Sequence, residues 1–326
     1  MAAMNIGPLA LPAQGQKTSG YFSFDDELLG KYQWPYFAVV GKEPGLKFLL
    51  TAGIHAAEYT GTLAALRLGQ LLDPAHVKGT IVILPLLNRP GFFERSVYVN
   101  PEDGENLNRA FPGNPMGKWS ERFAHHVLNN LVTHFDRAMD LHAGDMVEDL
   151  EPFLGFLKTG NAEIDKASQE MIEAYTGTRW VTHVVPGGER AGMLYGAAAQ
   201  NGVPAILAES GGRGLPIQAD VDRHVAGVLN IWRTLGLLTD QPPQPPSPKR
   251  SIAANNWLRS QHEGIFLCEV KPGDNVTKGQ RLGQLVDLLG NPLETITAPE
   301  TGVILFTVTS PAIKKDGLLL AVGVPD

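Results

Sequence analysis

Short apolar runs that alternate with helix-like segments constrain the fold of this chain more than any other feature. The apolar runs before residue 240 are KFLLTA, TIVILPLLN, RAMDLHA and PAILAES. Between and after them, the segments near 57–72, 117–134, 161–176 and 217–236 have helical patterns. Such alternation is typical of a sheet covered by helices. The sequence therefore predicts an α/β domain built on a mostly parallel sheet that helices flank.

A proline-rich segment, DQPPQPPSPKR, separates this region from the rest of the chain. Its closely spaced prolines cannot continue a helix or a sheet ladder and favour an extended backbone. The runs that follow are short and β-rich, with turn residues at intervals of about eight to twelve residues, as in small all-β units. We predict an α/β domain at 1–240, a linker at 241–252 and a small β domain at 253–326.

The composition predicts a folded soluble protein that does not bind nucleic acid. Charged residues make up 19% of the 326 residues and the net charge is -7, so a basic surface for nucleic acid is not expected. The first residues form neither a basic leader nor a long apolar run, which predicts a cytoplasmic protein without a membrane partner. The one cysteine, Cys268, lies in the apolar run GIFLCEV, and we expect a buried structural thiol.

Two histidines and a glutamate form a candidate metal site. His55 and Glu58 lie in GIHAAEYTG, where a predicted strand meets a predicted helix, and His142 ends the strand-like run AMDLHAG. Zinc prefers nitrogen and carboxylate oxygen ligands, and a catalytic site keeps a further position open for water. An HxxE pair alone is weak evidence, because capping or surface roles explain most such pairs. Glu209 follows PAILA at another predicted strand end, and a core-packing role does not explain the whole set. We expect the remaining histidines to be surface or capping residues: His76, His125, His126, His134, His183, His224 and His262.

Four motifs in order, HAAE, NLNRAFPG, DLHAG and AILAESGG, resemble those of the succinylglutamate desuccinylase/aspartoacylase family, a branch of the zinc carboxypeptidase superfamily. The resemblance extends over nearly the whole chain. It implies a zinc-carboxypeptidase-like fold, with one zinc ion held by His55, Glu58 and His142. It also implies that Glu209 is the general base, whereas a carboxylate that caps the Ser210-Gly211-Gly212 turn is the alternative.

The same resemblance assigns substrate-binding and catalytic roles to three further residues. Asn108 and Arg109 match the pair that holds a substrate carboxylate, a task that suits a planar guanidinium. Arg95 matches the arginine that stabilises the oxyanion, although a plain surface arginine is the alternative.

Two departures from the family pattern affect the predicted chemistry. Asn106 stands where an aspartate often orients a zinc-binding histidine, so that role passes to the amide or to Asp103 or Glu105. Tyr195 stands in GMLYG where desuccinylases tend to carry an arginine, so we predict that Tyr195 contacts an uncharged acyl group such as acetyl rather than succinyl.

Other charged residues near the predicted strand ends have less defined roles. We expect Asp140 to point to the opposite strand face from His142 and to be structural, and Asp145 to reach a cationic substrate group. Arg190 and Arg213 lie in glycine-rich loops and are further candidates for the pocket.

The C-terminal region resembles the hammerhead of biotinyl and lipoyl carrier domains, a barrel-sandwich-like fold. Its turn Leu289-Gly290-Asn291-Pro292 lacks the lysine to which a prosthetic group would be attached. We therefore predict a structural role, in which the domain narrows the active-site mouth or supports a homo-oligomer.

These observations together predict a zinc-dependent hydrolase that removes an acyl group from a small N-acyl amino acid, with acetyl favoured over succinyl. Two alternatives remain open. One is a metallocarboxypeptidase that acts on peptides, and the other is a non-catalytic metal- or ligand-binding protein.

Overall fold

A computed structural model of the chain describes residues 5–185, 187 and 192–326. Its α-helices and 3₁₀ turns are α1 (Tyr59–Leu71), α2 (Arg89–Glu94), α3 (Trp119–Asn130), α4 (Ala162–Ala174), α5 (Leu194–Gln200) and α6 (Gln218–Thr234), with 3₁₀ turns at Pro74–His76, Leu107–Arg109 and Val132–His134.

The strands fall into an N-terminal and a C-terminal series. The first series is β1 (Asn5–Ile6), β2 (Leu9–Ala10), β3 (Gln16–Phe22), β4 (Trp34–Val40), β5 (Glu43–Ala52), β6 (Lys78–Leu84), β7 (Arg137–His142), β8 (Glu148–Leu150), β9 (Phe153–Leu157), β10 (Trp180–Val184) and β11 (Ala205–Glu209). The second series is β12 (Arg250–Arg259), β13 (Gly264–Cys268), β14 (Asn275–Val276), β15 (Arg281–Val286), β16 (Pro292–Thr297), β17 (Gly302–Val308), β18 (Ala312–Ile313) and β19 (Leu318–Pro325).

One large mixed sheet organises the molecule, in the order β14-β17-β19-β12-β10-β9-β11-β7-β5-β6-β4-β3. Its centre is parallel, since β6, β5, β7 and β11 run in one direction, and β9, β10 and β12 form a second parallel group. The parallel pairing places the carboxyl ends of β5, β7 and β11 side by side. These are the ends that line ligand crevices in open α/β sheets.

Helices cover both faces of this sheet, as the alternation of the sequence predicts. In β5, Leu49 packs into one core with Phe123 of α3, while the neighbouring Phe48 and Leu50 pack into the other core with helices α1, α4 and α6. A strand buried on both faces carries apolar residues on both, which explains the consecutive Phe48, Leu49 and Leu50 of KFLLTA. The predicted α/β fold class is confirmed.

The region after the proline-rich segment adds strands to the large sheet and also forms a sheet of its own. β12 pairs with β10 and β19, and β12 begins at Arg250, within the segment predicted as a linker. β16, β15, β13 and β18 form a separate antiparallel sheet over a small apolar core. This confirms the small all-β architecture, while the division into domains stays a prediction.

The prediction of a buried thiol at Cys268 is wrong, because its side chain is exposed. Phe266 packs into the small core, and Leu267 alternates to the exposed face of β13. Cys268 lies on the same face as Phe266, but it is the last residue of β13 and is outside that core. Within the part of the chain that the structure describes, no helix is both long enough and apolar enough to cross a membrane.

Candidate metal centre and active-site cleft

His55, Glu58 and His142 converge at the carboxyl edge of the sheet. His55 Nδ1 lies 2.7 Å from Glu58 Oε1, and His142 Nδ1 lies 2.8 Å from Glu58 Oε2. Ligand atoms of all three residues lie within 4.8 Å of one another. His55 follows β5, Glu58 precedes the first residue of α1, and His142 ends β7, so three separate elements supply the site.

The outer nitrogen of each imidazole has its own hydrogen-bond partner. His55 Nε2 donates to Asn106 Oδ1 at 3.1 Å, and His142 Nε2 donates to Asp140 Oδ2 at 2.8 Å. Asn106 therefore takes the orienting position where the family often has an aspartate. A proton held on each Nε2 leaves the Nδ1 lone pairs directed at the shared centre, which is the arrangement that a metal-binding histidine needs.

The expectation that Asp140 points away from His142 is wrong. Residues two apart in a strand lie on the same face, so Asp140 reaches the ring directly. Asp140 is fully buried, and its other oxygen accepts a hydrogen bond from Thr51 Oγ1 at 2.7 Å. Asp140 thus holds the His142 ring through Nε2, the nitrogen that faces away from Glu58.

The charges of the three residues depend on one another. Burial lowers the pKa of His55 and of His142, but their partners outweigh it: Glu58 and Asn106 for His55, and Glu58 and Asp140 for His142. The net pKa of each imidazole is therefore raised. Burial alone would raise the pKa of Glu58, yet the two imidazoles lower it. Without a cation between them, the carboxylate and rings must share protons, and a divalent ion can replace those protons.

A metal ion fits this donor set. Two imidazole nitrogens and one carboxylate are the ligands of many catalytic zinc sites, and they leave a coordination position for water or substrate. Glu58 is the N-terminal flanking residue of α1, but its side chain caps no helix N–H. It contacts the two histidines and accepts a hydrogen bond from Ala143 N at 3.1 Å. A residue at a helix N-terminus whose side chain binds other groups instead of capping the helix indicates a functional position.

Close packing of α1 against β7 brings Glu58 to His142. Gly61 lies so near β7 that a Cβ atom there would be 2.7 Å from Leu141 O. Thr60 Oγ1 donates to Ser210 O at 2.7 Å and ties the start of α1 to the end of β11. These contacts fix the relative positions of the three strand ends.

His224 contradicts its predicted surface role, because it is fully buried on α6 beneath the site. Its Nε2 donates to His142 O at 2.9 Å, and its Nδ1 accepts from the Tyr175 hydroxyl at 2.9 Å. Burial lowers its pKa to about 4, so the ring is neutral at neutral pH. The apolar face of α6 conceals this histidine in the sequence.

Glu209 stands beside His142. The two are direct partners in the parallel pairing of β11 with β7, so their side chains leave the sheet on the same face. Glu209 is partly exposed and lines the same cleft as His55 and Glu58. A carboxylate in this position can exchange a proton with a molecule bound at the centre.

Asn108 and Arg109 lie in the 3₁₀ turn Leu107–Arg109 next to the centre. Asn108 is buried, with Nδ2 3.4 Å from His142 Nε2 and Oδ1 accepting from Leu194 N at 2.9 Å. Arg109 is exposed, lines the cleft and donates Nη1 to Asn108 O at 2.9 Å. A guanidinium therefore lies at the cleft wall.

The structure does not bring every predicted residue into the cleft. Arg95 is exposed at the end of α2 and is outside the described cleft lining. Tyr195 is only 1% exposed and lies in a core, whereas Met193, two residues earlier, lines the cleft. Asp145 is buried and accepts from Tyr98 N and Met146 N. Arg213 pairs with Asp149 at the surface, and Arg190 lies outside the described residues.

The cleft encloses about 800 Å³ and has walls from both parts of the chain. Residues that the sequence did not single out include Tyr98 and Glu148 from the first part and Trp257, Arg259 and Phe306 from the C-terminal part. A left-handed backbone at Tyr98, with φ 63°, is unusual for such a residue and draws attention to this loop. The sequence predicts that the C-terminal region narrows the mouth of the active site. No local motif, however, marks the individual residues that this region contributes to the wall.

The fold and the site can now be compared with known proteins. The protein-family model for the succinylglutamate desuccinylase/aspartoacylase catalytic domain matches residues 44–235, more than half of the chain. The chain belongs to the succinylglutamate desuccinylase/aspartoacylase family. The matched residues include both predicted histidine ligands, Glu58 and Glu209.

Individual relatives of this family member resemble it over most of its length. An N-alpha-acetyl-L-2,4-diaminobutyric acid deacetylase from Halomonas elongata is 29% identical over 82% of this chain and 78% of its own. The product-bound ectoine utilization protein EutE (DoeB) from Ruegeria pomeroyi is 25% identical, with a TM-score of 0.86 over 98% of this chain and 99% of its own. A succinylglutamate desuccinylase from a Silicibacter species, 24% identical, has a TM-score of 0.83 over 95% of each chain and shares the fold.

Proposed function

We propose that this protein is a zinc-dependent deacylase that hydrolyses the amide bond of a small N-acyl amino acid, with acetyl favoured over succinyl. The observation that carries the proposal is the convergence of His55, Glu58 and His142 beside Glu209. Family membership supports amide hydrolysis, and the Halomonas elongata relative is named for removing an acetyl group from a diamino acid.

In this proposal His55, Glu58 and His142 hold the zinc ion. Zinc bound there would polarise the amide carbonyl and lower the pKa of bound water towards about 7. Asp140 and Asn106 keep the two imidazoles in the required tautomer. Glu209 takes a proton from the attacking water and delivers it to the leaving amine, a role that its pairing opposite His142 supports.

Arg109 binds the carboxylate of the substrate, with Asn108 holding the turn that presents it. Apolar residues such as Met193, Phe153 and Leu207 line the cleft and suit a short uncharged acyl group. The structure does not support Arg95 as the residue that stabilises the oxyanion, because Arg95 is exposed and lies outside the described cleft lining. The C-terminal wall of Trp257 and Phe306 disfavours long peptides and so favours a deacylase over a carboxypeptidase.

The direct test is a hydrolysis screen of zinc-loaded protein against N-acetyl, N-succinyl and N-formyl amino acids and a tetrapeptide panel, read as free amine. We expect turnover of acetylated amino acids, loss of turnover on chelation, and a loss of about 100- to 10,000-fold in Glu209→Gln. The matched control is Glu170→Gln, an exposed position on α4. Preferential cleavage of the peptides, or wild-type turnover by Glu209→Gln, would overturn the proposal.

A further inference from the structure

Glu148 occupies a defined position in the cleft wall. It lines the 800 Å³ cleft together with His55 and Glu58, and it also lines an adjoining outer cleft of about 930 Å³. It therefore stands where the metal centre opens towards the mouth. A substrate whose acyl amide lies at the centre would share this cleft with the Glu148 carboxylate.

The backbone around Glu148 is held from three sides. Its strand, β8, pairs with β17 of the C-terminal region, with Glu148 opposite Val308. Glu148 N donates to Asp145 O at 3.0 Å, and Glu148 O accepts from Arg213 N at 2.6 Å. The position of the carboxylate is thus set before a substrate arrives, as a binding group requires.

The described surroundings of Glu148 supply no cationic partner. Its carboxylate accepts hydrogen bonds from Asp145 N, at 2.9 Å, and from the Tyr98 hydroxyl, both of which are neutral donors. Arg213, whose backbone N–H binds Glu148 O, pairs through its side chain with Asp149. Lys314 also lines the outer cleft, but it makes no ion pair with Glu148 among the described residues. Arg259 of the cleft donates its Nη1 to Asp316 O.

A carboxylate without a cation is costly in this location. Burial, to which the nearby Glu58 and Asp145 carboxylates add, raises the pKa of Glu148 to about 7. An ammonium group at the cleft wall would remove this penalty and make a charge-assisted hydrogen bond. Glutamine would keep the oxygen that accepts from Asp145 N, so the charge is not needed for that local contact.

We propose that Glu148 is a specificity-determining residue that binds the side-chain ammonium of an N-acyl diamino acid. The inference rests on the proposed function and adds the substrate class to it. Arg109 and Glu148 line the same cleft with opposite charges, so a substrate with a carboxylate and a side-chain ammonium has a partner for each. Glu148 thereby takes the role predicted for Asp145, whose carboxylate binds backbone N–H groups instead.

The test compares two substrates of similar shape. They are Nα-acetyl-2,4-diaminobutyrate, which has a side-chain ammonium, and N-acetyl-2-aminobutyrate, which lacks it. We expect zinc-loaded wild-type protein to prefer the diamino substrate in kcat/KM. In Glu148→Gln this preference should fall by about 10- to 100-fold, mainly through the KM of the diamino substrate, because the neutral amide lacks the negative charge that pairs with the ammonium. The matched control Asp149→Asn changes the next residue and should keep the wild-type preference.

The other outcomes separate the possible failures. Equal losses on both substrates in Glu148→Gln would indicate a structural role and overturn the inference. Equal turnover of the two substrates by wild-type protein would overturn it without any variant. Hydrolysis of neither substrate, nor of any other acyl amino acid, would instead reject the proposed function.

Discussion

At the scale of single residues, the candidate centre depends on acidic side chains that bind histidines instead of capping a helix or facing solvent. Glu58 is placed to cap α1 but contacts two histidines, and Asp140 is a buried acid on a central strand. The convergence of His55, Glu58 and His142 could be predicted because His55 and Glu58 lie between the end of β5 and the start of α1, and His142 ends the neighbouring β7. The support from Asp140 could also have been derived, since two-residue spacing places it on the same face as His142.

The substitution Asp140→Asn tests this support. An amide can keep a contact with His142 Nε2, but it removes the negative charge that makes the ring a stronger ligand. We expect zinc affinity to fall by about 10- to 100-fold, measured by competition with a chromophoric chelator. Asp25→Asn, an exposed change, should leave the affinity at the wild-type value. Unchanged affinity in Asp140→Asn would remove Asp140 from the metal site.

The substitution Glu148→Gln makes a prediction about stability that depends on pH. Burial raises the folded-state pKa of Glu148 from 4.5 to about 7, so the folded state is favoured by protonation. This contribution is complete below pH 4.5 and is lost as the pH rises through 7. The metal-free variant should therefore be more stable than wild type by about 1–3 kcal/mol at pH 8 and similar at pH 4.5. Denaturant unfolding at both pH values measures this, and a variant less stable at pH 8 would contradict it.

At the scale of elements, strong periodicity was a good guide and short elements were not. The helices predicted near 57–72, 117–134, 161–176 and 217–236 correspond to α1, α3, α4 and α6. The sequence did not indicate α5, Leu194–Gln200, because nearly all of its residues are buried and it therefore lacks a polar face. The same limit applies to β8, which is three residues long and carries Glu148.

The substitution Gly61→Ala tests the contact between α1 and β7. A Cβ atom 2.7 Å from Leu141 O would force the helix away from the strand and separate Glu58 from His142. We expect a loss of stability of about 1–3 kcal/mol together with weaker zinc binding. Gly20→Ala in β3, where a Cβ atom meets its nearest neighbour at 3.4 Å, should change neither property. Normal zinc affinity in Gly61→Ala would show that the contact does not position the centre.

At the scale of the whole molecule, the cleft joins residues that are distant in sequence. Glu148 reaches the cleft because β8 pairs with β17, and Trp257 reaches it because β12 extends the large sheet. Neither pairing leaves a local pattern, so the sequence could predict a narrowing C-terminal region but not its wall residues. The family motifs predicted the centre, whereas the specificity wall required the structure.

The central claim is that His55, Glu58 and His142 bind one metal ion. X-ray diffraction from zinc-loaded crystals, recorded at the zinc absorption edge, tests it most directly. We expect one strong anomalous peak per chain, about 2.0–2.2 Å from the two Nδ1 atoms and a Glu58 carboxylate oxygen. A peak elsewhere, or imidazoles directed to separate places with no peak between them, would contradict the account.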